Sequence, residues 1–165
     1  VLNPIDTDTV IRDGRVVGVF PDEIHEGVAW WVAACFVVVS HTRQMVVAHD
    51  GHPTTAEFHQ RFCHGAINAQ HLGCQVSSLG TADEAQLLYA MKALGSVPGA
   101  WLSTTDDSGR LTVTIRLYDA DGRPVTEDTG LAVLREMIAS DRVPIPVNDQ
   151  AKGSITERRD LVEAP

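Results

Sequence analysis

The chain has 165 residues, of which 44% are hydrophobic, 21% charged and only 5% aromatic. That is the composition of one packed domain, long enough to bury roughly 70% of the surface its unfolded chain exposes. An excess of 22 acidic over 13 basic residues leaves a formal net charge of −9, a field that repels phosphate backbones and acidic lipid surfaces and argues against nucleic-acid or membrane partners. Cys35, Cys63 and Cys74 are odd in number and far apart. They form neither a disulfide framework nor a CxxC knuckle, as expected of a protein kept in a reducing cytosol. The most apolar run, Val28–Val39, is too short to span a bilayer, and the opening VLNPIDTDT lacks the regions of a signal peptide. A cytoplasmic protein is expected. The start at Val1, without methionine, suits a cut piece of something longer.

Residues 1–9 are polar and read as an arm. Val10–Arg12 and Arg15–Phe20 are short extended runs joined at an Asp13-Gly14 turn. Pro21 suits a helix start, and Ile24, Val28, Trp31, Val32, Cys35 and Val39 recur at helical spacing through about Ser40. Met45–Ala48 has the length and flanks of a buried strand. After Asp50-Gly51, the run Thr54-Thr55-Ala56-Glu57 predicts a capping box for a helix that buries Phe58, Phe62, Ala66, Ala69 and Leu72 and ends at Gly73. Cys74–Leu79 is the next strand, Thr81 to Leu94 a helix, and Gly99–Ser103 and Leu111–Tyr118 two further strands. Thr126 opens a last helix with Leu131, Leu134 and Ile138 inward. This alternation predicts a layered α/β domain with parallel neighbours over residues 10–140. Val143-Pro144-Ile145-Pro146 excludes helix, and Ser154–Glu163 is polar with a short helix at most, so residues 141–165 read as a linker or tail.

Several side chains invite chemical readings. His59 and Cys63 lie four apart on one helix, but a zinc site needs three or four ligands and no third stands at useful spacing, so no metal is expected. Asp119-Ala120-Asp121-Gly122 echoes the start of a calcium loop without its remaining ligands and reads as a hairpin turn. Asp106-Asp107-Ser108-Gly109 is a turn sequence in its own right. Trp30, next to the inward Trp31, points elsewhere and with Val37-Val38 would offer a homodimer contact, core packing being the alternative.

The longer motifs come in a definite order. Val10-Ile11-Arg12-Asp13 precedes the first helix, and Ala48-His49-Asp50-Gly51-His52-Pro53-Thr54-Thr55 leads into the second. Leu79-Gly80 precedes the third. Gly99-Ala100-Trp101-Leu102 then runs into Ser103-Thr104-Thr105-Asp106-Asp107-Ser108, followed by Ile115-Arg116-Leu117-Tyr118. This order resembles the first domain of the α-D-phosphohexomutases, the phosphoglucomutase and phosphomannomutase family, over about residues 10–140. The resemblance implies a three-layer α/β/α sandwich on a mixed sheet of about four strands, ordered 2-1-3-4, with Leu111–Tyr118 antiparallel to the rest. It also implies roles by position: Thr105 at the family's phosphoserine, Asp106 and Asp107 at its histidine and asparagine, Arg116 at its lysine, and Arg12, His49 and His52 at phosphate-binding arginines.

The departures bear on activity. Phosphorylated Thr105 would place about −1.5 to −2 charge beside two carboxylates. Arg116 stays charged and makes a poor general base, and imidazoles at 49 and 52 capture anions weakly at neutral pH. The expected function is a phosphohexomutase domain I-like module, without mutase activity of its own, that binds a hexose phosphate or a protein partner. The alternative is the catalytic N-terminal domain of a mutase completed by further domains or a companion chain. It needs no cofactor alone, and Mg²⁺ only if a metal-binding domain completes it.

Overall fold

The computed structural model describes residues 6–68, 73–140 and 153–163. A short helix α1 (Thr7–Val10) leads into the β1–β2 hairpin (Ile11–Arg12, Arg15–Phe20). Its turn is the expected Asp13-Gly14, with φ of 56° and 74°, the left-handed pair that matches strand twist. Helix α2 (Glu26–Ser40), strand β3 (Gln44–His49), helix α3 (Pro53–Ile67), strand β4 (Gln75–Thr81) and helix α4 (Glu84–Ala93) alternate from there. Strands β5 (Gly99–Asp107) and β6 (Arg110–Tyr118) form a long hairpin, α5 (Ala132–Ala139) follows, and β7 (Ser154–Glu157) and α6 (Asp160–Glu163) close the described chain.

The sheet runs β1-β2-β6-β5-β3-β4-β7. Its centre, β4-β3-β5-β6, is the expected 2-1-3-4 order, with β6 antiparallel to β5. The expectation of about four strands is corrected to seven among the described residues. The β1–β2 hairpin extends one edge through β6, and β7 pairs parallel with β4 on the other. The tail expected to be at most a short helix thus contributes a strand. Its residues are all exposed, so they carry no hydrophobic period from which pairing could be read, and backbone bonds to β4 alone define the strand. Pro144 and Pro146, with Ala69 and Leu72, lie outside the described residues.

Helices flank both faces. Val47, Leu102, Val113 and Ile115 face a core with Val28, Val32, Phe36, Phe58, Phe62, Leu134 and Ile138 of α2, α3 and α5. Val46, Ala48 and Leu79 face a smaller core under α4, with Leu87, Ala90, Met91 and Tyr118. The closest helix–helix approach is at Gly65, where a Cβ would stand 2.2 Å from the Trp30 carbonyl oxygen; only a residue without a side chain fits.

Four helix starts differ from expectation: the helix expected from Thr126 opens as a π-helical turn, Glu127–Leu131, ahead of α5, and three others shift as follows. Helix α2 begins at Glu26, because His25 takes the cap position and its Nδ1 accepts the Gly27 N–H at 3.1 Å, while buried Ile24 anchors the preceding turn. Helix α3 is capped by His52, whose Nδ1 accepts the Thr54 N–H, and not by Thr54. Helix α4 starts at Glu84 behind a capping box of Asp83 and Gln86. Trp31 packs against the larger core, Trp30 is half-buried, and Val37 is fully buried.

Candidate functional site

Parallel strands that cross over in opposite directions leave a crevice at their carboxyl ends, the usual ligand position in open α/β sheets. Here β3 sits between β4 and β5, so the crevice opens where His49-Asp50 leaves β3 and Leu102–Thr104 passes beside it. Asp50 knits it together. Its Oδ2 accepts the Thr104 N–H at 2.8 Å, its Oδ1 accepts the His52 N–H at 3.0 Å, and its own N–H donates to the Leu102 carbonyl. The Thr104 hydroxyl is bonded to that of Thr55, a fully buried residue in the first turn of α3.

The positions expected to act together are distributed along this edge. Thr105 pairs with Thr112 on β6 and is exposed. Because side chains alternate along a strand, Thr105 points to the opposite face from Thr104, toward the α4 side with Trp101 and Ser103. Asp106 and Asp107 follow it as exposed strand residues. The turn lies at Ser108-Gly109, with φ of 53° and 90°, and Asp106 Oδ1 accepts the Gly109 N–H. The turn expected at residues 106–109 is thus confined to Ser108-Gly109, Asp106 and Asp107 pairing with Leu111 and Arg110, and β5 runs unbroken through Thr105.

Arg116 pairs with Trp101, four register positions from the Thr105–Thr112 pair, or roughly 13 Å along the strand. Its guanidinium lies near the Tyr118 hydroxyl, which donates to Glu84. Burial and the Glu84 carboxylate push the Tyr118 phenol up to about 12. Arg12 lies on the edge strand β1, three strands from β5. Its guanidinium donates to Asp13 at 3.1 Å and to the Thr9 carbonyl at 2.8 Å.

His49 and His52 do stand at the crevice, and each spends Nδ1 on a local backbone N–H, Gly51 and Thr54 respectively. His49 also stacks on His59, ring centroids 4.5 Å apart. The His59 Nε2 lies 3.3 Å from the Ser78 hydroxyl and 3.8 Å from the Cys63 thiol. Burial and neighbouring His49 lower its pKa to about 4, and burial lowers His49 as well. Burial pushes the Cys63 thiol up to about 12, so it is no nucleophile at neutral pH. Among the described residues no group of three His, Cys, Asp or Glu side chains could hold a metal ion.

Four residues of this edge were not singled out from sequence: Asp50, Thr55, Thr104 and Arg159. Asp50 lies within the Ala48–Thr55 motif, and its place just after a buried strand is the sequence signal that marks it. Arg159 had none, since its position over the end of β4 depends on β7 pairing.

No protein-family model matches the chain, and no curated protein matches it in sequence. Solved structures match its fold. A phosphoglucomutase/phosphomannomutase family protein of Burkholderia thailandensis superposes with a TM-score of 0.71 at 17% identity, over 93% of this chain and 33% of that one. A Thermus thermophilus protein assigned as a phosphomannomutase gives 0.66 at 21% identity, over 90% and 33%. The chain thus has the fold of a single domain from proteins of that kind and spans about a third of their length.

Proposed function

We propose, from the premise that the chain carries the fold of one phosphoglucomutase/phosphomannomutase family domain, that it is a domain I-like module that binds a phosphosugar or a protein partner without interconverting sugar phosphates by itself. The observation that carries this reading is the unbroken β5–β6 hairpin through Thr105. A phosphoryl group on Thr105 would share its face of the exposed strand with Asp107, two residues on, and two like charges about 7 Å apart cost roughly 0.6 kcal/mol in water and more near a protein surface. Arg116, the cation expected to answer it, stands four register positions away along the hairpin. A cytoplasmic pseudoenzyme fits these features. A hexose phosphate would meet its phosphate partners at His49 and His52, whereas Arg12, four strands from β3, is held by Asp13 and the Thr9 carbonyl; a second copy of the chain would use the helix carrying Trp30.

A second reading is favoured by the length of the solved neighbours, three times that of the matched region. In it the chain is the N-terminal domain of an intramolecular phosphotransferase, with Thr105 phosphorylated and Mg²⁺ supplied by a further domain or a companion chain.

NMR titration with glucose 1-phosphate, glucose 6-phosphate and mannose 1-phosphate, with and without Mg²⁺, tests the first reading. Saturable shifts at His49, His52 and Thr105 with no turnover are expected. Interconversion of the sugar phosphates by the pure chain overturns it. A phosphopeptide containing Thr105 after incubation with a hexose 1,6-bisphosphate would establish the second reading, and an unmodified peptide would remove it.

A further inference from the structure

On the face of the sheet opposite Thr104 and Thr55, a cleft of about 400 Å³ opens between the carboxyl ends of β3 and β4, the start of α4 and the segment after β7. Asp50, Thr81, Asp83, Gln86, Trp101 and Arg159 line it. Its size and its place beside the crossover of β3 are those of a small-ligand site. Each wall is held in place. The Trp101 indole is pinned by its Nε1–H donating to the Ala82 carbonyl at 2.8 Å. Asp83 and Gln86 are locked by their capping box, in which Asp83 Oδ1 accepts the Gln86 N–H and Gln86 Oε1 accepts the Asp83 N–H. The second Asp83 oxygen and the Gln86 amide NH₂ have no partner among the described residues. The Arg159 guanidinium donates to the carbonyls of Leu79 and Thr81.

We infer that this cleft binds a protonated amine or guanidinium group, carried by a small molecule or by a lysine or arginine side chain. Two carboxylates and one guanidinium leave the lining one negative charge in excess. The chain as a whole, at −9, draws cations toward it and repels phosphates. Arg159 already shows that strand-end carbonyls at this rim accept a guanidinium. The indole adds a π face, on which cations gain more than neutral groups do. The inference does not rest on the phosphosugar reading: it concerns a ligand of opposite charge held by Asp83, Trp101 and Asp50 and not by His49 and His52.

The test is an NMR titration of the whole chain with n-butylammonium and with ethylguanidinium chloride, read at the Trp101 indole Nε1–H, which Trp101→Phe identifies by its loss. Sodium chloride at matched ionic strength, inorganic phosphate and glucose are the controls. A saturable shift with the two cations alone is expected, weakened about fivefold by Asp83→Asn, since an exposed charge pair contributes at most that factor. Asparagine still caps α4, and unchanged circular dichroism verifies folding. Asp50→Asn gives the same loss from the other wall. A lysine- or arginine-bearing hexapeptide that binds tighter than the free amines assigns the site to a protein partner, and equal affinity assigns it to small amines. No saturable shift, a shift equally produced by phosphate or glucose, or affinity unchanged in both aspartate variants overturns the inference.

Discussion

The carboxylate of Asp50 accepts the backbone N–H of Thr104 at 2.8 Å across 54 positions of sequence. This one bond ties the loop after β3 to the strand that carries Thr105, and the other oxygen of the same carboxylate holds the cap residue of α3. Asp50→Ala strips both N–H groups of their acceptor. Hydrogen bonds to a charged group contribute more than neutral ones, and a loss of about 3 kcal/mol in urea unfolding is expected, with Asp50→Asn losing less because one oxygen remains. An alanine variant as stable as the parent would show that the carboxylate does not organise the crevice.

Protonation of His59 couples stability to pH. The unfolded chain takes up this proton near pH 6.5, whereas the folded one does so only near 4, because the ring is buried against His49. Between those values the unfolded state binds more protons, so stability falls as pH drops through that window and is fully present above it. The loss reaches about 3 kcal/mol by pH 4, and the lowered pKa of His49 adds in the same direction. His59→Gln, which still bonds Ser78, flattens the profile. Chemical denaturation at pH 4.5, 5.5 and 7 measures it, and an unchanged slope in the variant would reject His59 as the source.

Gly65 sets the spacing of α2 and α3. Gly65→Ala puts a methyl 2.2 Å from the Trp30 carbonyl oxygen, so the helices must separate. Overpacking of this kind costs about 1–3 kcal/mol, although alanine is the better helix former. A melting temperature at or above that of the parent would contradict the close approach.

Arg159 fastens the tail. With Arg159→Ala the carbonyls of Leu79 and Thr81 lose their charged donor, while β7 keeps its backbone bonds to β4 and Leu161 and Val162 stay packed on the smaller core. Hydrogen exchange of the amides of residues 154–157 is expected to accelerate about tenfold, the effect of losing about one charge-assisted bond, while amides of β3 stay protected. Equal protection in parent and variant would mean that backbone pairing alone holds the strand.

Much of the architecture is legible in local pattern. The β3, β4, β5 and β6 strands, the Asp13-Gly14 turn and the inward faces of α3 and α5 follow from alternation, helical period and turn chemistry, because each is decided within a few residues. The order 2-1-3-4 was legible only through resemblance in the sequence of motifs. The strand at Ser154–Glu157 was not legible at all, since a wholly exposed edge strand needs no apolar side chains.

The site divides the same way. Sequence by itself determined the residue types at the carboxyl edge of the sheet: a retained aspartate and glycine at 50 and 51, histidines at 49 and 52, a threonine at 105 and two acids after it. Only the tertiary structure decided which of them meet. Strand alternation turned Thr104 toward α3 and Thr105 away from it, and hairpin register set Arg116 four positions from Thr105. A parallel strand from the far end of the chain brought Arg159 over the end of β4. Spacing along a chain fixes which face a side chain takes, but contacts across strands depend on register and on which edges pair, and those are settled by the packing of the whole sheet.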